Sequence, residues 1–196
     1  MQPGPVVEGE LLTFRHVGGR RYVRGLDIVL LMETRYPDFA RLDLKFLRPI
    51  ASHATISRTR RHGTAVAVSI VPREGDPFDL FIVNLETVDA TPQSEPPLAP
   101  HLVLPRHGPK YRYLMFGRHA HAAILAVVFH RFQAGSGKRF VLRALHLERA
   151  PSGMAELVSL TAPTAERGLQ TCTITRCGRR WCDIEMIEQQ AVAPLA

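Results

Sequence analysis

The chain has 196 residues, 45% of them hydrophobic and 22% charged, with 14 glycines and 15 prolines. That length fits one large domain or two small ones, and such a chain buries enough surface to fold without a disulfide or metal staple. The apolar content excludes wholesale disorder. The longest apolar runs, Ile28–Met32 and Ala122–Phe129, fall far short of the roughly 20 residues that span a membrane. The opening Met-Gln-Pro-Gly-Pro lacks the basic start and apolar core of a signal peptide, so a cytoplasmic protein is expected.

Lys+Arg 25 against Asp+Glu 18 gives a net charge of +7, which invites a polyanionic partner. Yet 22 of the 25 cations are Arg, beside many Ala, Pro and Gly. A GC-rich genome produces that skew without selection for binding. The densest clusters, Arg20-Arg21-Tyr22-Val23-Arg24 and Arg58-Thr59-Arg60-Arg61-His62, read first as a solvated basic surface. Phosphate capture, on a nucleotide carrier or on nucleic acid, stands second. Cys172, Cys177 and Cys182 are five apart and match no zinc-ligand spacing, so no metal is expected and the thiols read as reduced. Cys182, after Trp181, reads as a small core residue.

Residues 1–9 read as an extended arm, and Leu11–His16 as a short strand before the turn signal Gly18-Gly19. Gly25–Tyr36 reads as a helix whose apolar residues lie nearly all round, hence a buried one, and Pro37 closes it. Four strand-like runs follow: Leu42–Leu47, Ala54–Arg60, Ala65–Val71 and Phe78–Leu85, with turns at Gly63 and around Gly75-Asp76. The segment Asp89–Pro100, with four prolines, reads as a linker. Beyond it come a short strand His101–Leu104, an apolar helix Gly117–Phe132 and a Gly135-Ser136-Gly137 turn. Further strands are predicted at Phe140–Leu147, Glu156–Leu160, Leu169–Thr175 and Arg180–Ile187.

Both halves therefore read strand, buried helix, then four strands. Sequence details echo the order: Arg15-His16 and Tyr22 before Gly25, then Arg106-His107 and Tyr113 before Gly117. Phe46-Leu47-Arg48 after the first helix has a counterpart in Phe140-Val141-Leu142-Arg143 after the second. These features describe an internal duplication of about 90 residues, with halves at 10–88 and 101–190 joined by the linker 89–100. The fold class expected is α+β: two tandem βαββββ units, each an antiparallel sheet wrapped around a buried helix.

Phe46-Leu47-Arg48-Pro49-Ile50 resembles the phenylalanine-leucine-arginine-proline strand of acyl-CoA thioesterases and hydroxyacyl dehydratases of the hotdog superfamily. The doubled element order resembles a double hotdog, as in some hydratases and A-factor-type synthases. That resemblance implies a protein that binds or processes an acyl thioester of coenzyme A or of an acyl carrier protein, as dehydratase, thioesterase or acyltransferase. The coenzyme A or phosphopantetheine then belongs to the substrate and no separate cofactor is expected. The alternative is a non-enzymatic basic α+β module that binds nucleic acid or a protein partner. Since fold alone does not fix function, the site must argue for itself. A double hotdog supplies internally the dimer that single units need, so a monomer and a homo-oligomer both stay open.

The chemistry implied by the resemblance needs a general base and a polarising donor for the thioester carbonyl. Asp27 lies in the first turn of the first helix, where a carboxylate also simply complements the helix dipole. Glu33 shares a stripe with Leu26, Val29 and Leu30 at the far end, and reads as a catalytic carboxylate or as the partner of Arg24 or Arg35. His119 and His121 occupy the matching first turn of the second helix, where one can form an acid–base pair with Asp27. Gly25 and Gly117, opening the two helices, permit a close approach by substrate. Tyr22, Arg24 and Tyr113 complete the candidate substrate-binding residues. Ser-His-Asp catalysis and nucleotide-binding loops find no motif.

Overall fold

The computed structural model describes residues 8–14, 23, 25–85, 111–116, 140–148, 155–160, 164–166, 169–176 and 179–188. They form β1 (Leu11–Thr13), α1 (Gly25–Arg35), β2 (Phe39–Phe46), β3 (His53–Ser57), β4 (Thr64–Pro72), β5 (Phe78–Asn84), β6 (Tyr111–Phe116), β7 (Phe140–Glu148), β8 (Ala155–Leu160), β9 (Thr164–Glu166), β10 (Leu169–Arg176) and β11 (Arg179–Glu188). The predicted helix and the strands from Leu42 to Leu85 and from Phe140 to Ile187 fall within a few residues of these. The structure adds β6 directly before Gly117 and the short β9. The predicted strand 101–104, the helix 117–132, the turn 135–137 and the linker 89–100 lie outside the described residues.

All strands belong to one antiparallel sheet in the order β1-β3-β5-β4-β2-β7-β11-β10-β8-β6, with β9 pairing β10. Counted outward from the β2–β7 pair, each flank ends on the first of its described strands in chain order, β1 on one side and β6 on the other. The two flanks differ in chain order. β4, from the middle of its meander, lies beside β2, whereas β11, the last strand, lies beside β7.

Alternation along the strands separates two faces. The inner face carries Leu42 and Leu44 of β2, Val66, Val68 and Ile70 of β4, Leu80 and Ile82 of β5, Leu145 and Leu147 of β7, and Cys182, Ile184 and Met186 of β11, all buried. Ile28, Val29 and Met32 of α1 complete that core at 0–1% exposure. Leu30, Leu31, Asp27 and Glu33 are only half-buried and Thr34 is exposed. The helix expected to be buried all round is thus fully covered on its sheet side alone.

The two flanks meet at β2 and β7, where Leu42 lies opposite Leu147 and Leu44 opposite Leu145 on the inner face. On the outer face of the same seam Asp43 lies opposite His146, and its carboxylate bonds to the His146 imidazole Nδ1. Arg41 Nε holds the other Asp43 oxygen at 3.1 Å.

An irregularity in β7 decides where Leu142 points. Ala144 pairs with Glu185 but Leu142 pairs with Met186, so β7 carries one extra residue, a β-bulge around Arg143. The bulge resets the alternation. Leu142 therefore points inward with Leu145 and Leu147 while Arg143 stays exposed.

Because the inner seam is apolar and close-packed, Leu145→Ala should cost about 2–5 kcal/mol in chemical denaturation. The half-exposed Asp43–His146 pair should show a coupling below about 1 kcal/mol in a double-mutant cycle, weakening with added salt. A larger loss on the outer face than on the inner would reverse this assignment of the seam's stability.

Candidate functional site

The loop after β2 fixes where α1 begins. Pro49 ends the Phe46-Leu47-Arg48-Pro49 motif, and Asn84 at the end of β5 grips the turn from both sides. Its Nδ2 donates to the Pro49 carbonyl at 2.9 Å and its Oδ1 accepts from the Ala51 N–H at 3.0 Å. Ile50 inside that turn is buried, and its carbonyl accepts the Val23 N–H at 2.9 Å. The chain thus enters α1 pinned to the motif loop, and the first turn of α1 lands on the end of the seam.

There Gly25 is held against β2 and β7. A methyl group on Gly25 would stand 2.8 Å from Leu142 Cδ2, 3.1 Å from Leu142 Cβ and 3.3 Å from Phe46 Cζ. Only glycine allows this approach. The space beside Gly25 that was expected to admit substrate is, in this structure, occupied by the Leu142 side chain. Asp27 sits half-buried further along the first turn, where the exposed N–H groups of a helix start favour negative charge.

The remaining candidate residues are more dispersed. Glu33 is half-buried, its Oε2 shielded from solvent. Arg35 turns instead to Glu10, whose carboxylate takes both guanidinium Nη groups and holds the Arg35 pKa above its ordinary value, chiefly by that hydrogen bond. Of the two arginines offered as partners for Glu33, Arg35 is taken by Glu10, beside β1, and Arg24 lies outside the described residues. Tyr22, Arg24, Gly117, His119 and His121 lie outside the described residues. Of Tyr113 only its place in β6, paired with Val158, is described. The predicted Asp27–histidine pair therefore lies outside the described residues on its histidine side.

Cys172 and Cys182 are buried on the inner face, and no metal-ligand cluster of His, Cys, Asp and Glu occurs among the described residues. Burial, then Asp183 and Cys172, push the Cys182 thiol well above its ordinary pKa. It is a neutral core group rather than a nucleophile. Of the basic cluster at Arg58–His62, Arg61 bonds Glu8 at 2.9 Å and the Arg58 guanidinium lies 5.4 Å from the centre of the Phe78 ring.

Sequence reasoning did not find the polar row on the outer face. Asp79, Ser69, Asp43, His146, Asp183 and Thr173 lie side by side across six strands. The first five of them border an open groove of about 790 Å³. Arg180 and the Thr173 hydroxyl, at 2.7 Å, occupy the Asp183 carboxylate. The Asp43 and Asp183 carboxylates are therefore already paired, as on a solvated outer sheet face. The signal was the alternation that turns Asp43 and His146 outward; their register across 103 residues is set by the tertiary fold.

No protein-family profile matches the sequence, and no curated protein matches it. Solved structures do match over nearly the whole chain. The tesB protein of Mycobacterium avium subspecies paratuberculosis superposes with a TM-score of 0.51 at 14% identity, covering 90% of this chain and 91% of that one. A conserved protein of unknown function with a hot dog fold from Alicyclobacillus acidocaldarius gives 0.45 at 11% identity, covering 88% and 89%. An acyl-CoA thioesterase II, TesB2, from Mycobacterium marinum gives 0.41 at 12% identity, covering 88% and 91%. The likeness is to the hotdog fold. At such identities it concerns the fold alone. No helix among the described residues is long and apolar enough to cross a membrane.

Packing at Gly25 and burial of Cys182 each have a measurable consequence. Gly25→Ala should destabilise the protein by about 1–3 kcal/mol through overpacking. Adding Leu142→Ala should then cost less than it does in the wild type, because the two changes share one contact. Stability should also fall as pH rises above the ordinary thiol value of about 8.5, since unfolding frees the Cys182 thiol to ionise. A Cys182→Ala variant should lose that part of the alkaline decline, as read from denaturant midpoints between neutral and alkaline pH.

Proposed function

We propose that the chain is a double-hotdog protein that binds or processes an acyl thioester, of coenzyme A or of an acyl carrier protein, where α1 meets the β2–β7 seam. Residues 10–88 and 101–190 are the two units in this reading, joined by the proline-rich 89–100. The observation that carries the reading is the seating of the Gly25 end of α1 on the seam between Phe46 of one half and Leu142 of the other. The fold likeness along nine-tenths of the chain agrees with it.

The chemistry depends on groups at that end. The first N–H groups of α1 have no partners within the helix and are suited to polarise a thioester carbonyl. A carboxylate at Asp27 or an imidazole at His119 or His121 serves as the general base for removing an α-proton or activating water. Tyr22, Arg24, Tyr113 and Gly117 are the remaining proposed substrate contacts, and Glu33 a second carboxylate at the far end of α1. Dehydration, thioester hydrolysis and acyl transfer share this machinery, so the proposal is placed at the level of the thioester. The coenzyme A or phosphopantetheine enters as part of the substrate. The paired halves make a monomer sufficient, and the proposed setting is cytoplasmic.

Thermal melting and native mass spectrometry with coenzyme A and with acetyl- and butyryl-coenzyme A test the reading. A thioester at a hundred times its dissociation constant should stabilise the protein by about 2.7 kcal/mol. The shift should shrink in Asp27→Ala and in the paired His119→Ala, His121→Ala variant. Absence of any shift with every thioester would remove the proposal.

A further inference from the structure

We propose that two copies of this chain pair back to back through the outer face of the sheet, related by a two-fold axis that runs along the β2–β7 seam. Its basis is the register of the strands. Three rows of residues cross the seam on that face: Arg41 lies opposite Glu148, Asp43 opposite His146 and Lys45 opposite Ala144. The middle row continues as Ser69 and Asp79 on the β4–β5 side, and as Asp183 and Thr173 on the β11–β10 side. The third continues as Ala67 and Phe81 on the first side, and as Glu185 and Thr171 on the second. Arg41, Lys45, Asp79 and Glu148 are exposed, and the Asp43 and His146 side chains keep 35% and 34% of their surface open to solvent.

A face that meets its own copy across a two-fold must be complementary to itself. An axis along the seam keeps each residue at its level and exchanges the flanks. β2 then faces β7 of the second copy, β4 faces β11 and β5 faces β10. Arg41 comes opposite Glu148 of the second copy, Asp43 opposite His146, Ser69 opposite Asp183 and Asp79 opposite Thr173. Lys45 comes opposite Ala144, whose short side chain lets the ammonium reach Glu185 beside it. Within these three rows no residue faces one of its own charge. A two-fold laid across the strands at the level of Asp43 would instead set Asp43 against Asp43 and Asp183 against Asp183. The twist of the sheet is no obstacle, because a twisted face and its copy turned about the seam have the same slope at every facing point. The open groove of about 790 Å³ along these rows leaves room between the faces for the long Lys45 and Arg143 side chains.

Sedimentation equilibrium of the full-length chain tests the pairing with two charge reversals at exposed positions, Arg41→Glu and Glu148→Arg. Wild type should be a dimer that weakens with added salt. Each reversal alone sets like charges face to face at two contacts and should weaken the dimer at least about tenfold. Mixing the two variants should give a heterodimer within about threefold of the wild-type affinity, because each chain then meets its complement at both contacts. A cross-seam contact within one chain cannot be repaired by mixing, so that recovery belongs to the assembly alone. A wild type that stays monomeric up to about 100 micromolar in dilute buffer, a dimer that neither reversal weakens, or single variants that mixing does not repair would overturn the proposal. None of these outcomes touches the thioester reading, which a monomer satisfies equally.

Discussion

The β2–β7 seam is the constraint on which the rest of the fold depends. Both strands would otherwise be sheet edges, with unpaired backbone groups and half of an apolar face each. Pairing them places Leu42 against Leu147 and Leu44 against Leu145. The inner faces of the two flanks thereby become one surface that α1 covers with Ile28, Val29 and Met32. Neither flank has that core alone, because the helix packs across the line where they join. The polar contacts on the back of the seam, Asp43 with His146 and Arg41, are half-exposed and add register more than stability.

Two sequence features that look unrelated act together at the end of this seam. The proline after Phe46-Leu47-Arg48 ends β2 and starts the turn gripped by Asn84, and that turn receives the Val23 N–H. Gly25 then removes the Cβ that would hold α1 away from Leu142 and Phe46. The two phenylalanine-containing strand motifs thus converge on a single helix turn. A motif placed only for sheet formation would not need a glycine opposite it. A glycine placed only to loosen the helix start would not need a bulge that aims leucine into the gap.

Local pattern made much of this legible. The Leu42, Leu44, Asp43 and Lys45 alternation marked β2 and its buried side, Pro37 marked the end of α1, and Gly63 and Gly75 do take the positive φ of tight turns, 85° and 97°. The doubled element order pointed to the hotdog likeness before any register was known. What stayed hidden depends on pairing over long separations. A bulge shows only against the partner strand that counts one residue fewer, so Leu142 read as an ordinary strand residue. The Asp43–His146 pair needed the β2–β7 register. Arg35 was offered, with Arg24, as a partner for Glu33, whereas Glu10 reaches it from outside the helix.

The distribution of charge bears on which of the two broad readings the molecule favours. A cationic excess of seven would matter for nucleic-acid binding only if arginines were left on one face, free to meet phosphates. Several of the described ones are engaged within the fold. Arg35 is taken up by Glu10, Arg41 by Asp43, Arg61 by Glu8 and Arg180 by Asp183, while Arg58 lies over Phe78. These contacts tie together helix end, seam, loop and outer sheet rather than gathering on a common patch. These five arginines work as clamps whose planar fork suits carboxylates and rings. The corner of Gly25, Phe46 and Leu142 is the point at which β2 and β7 each set a side chain against the start of α1.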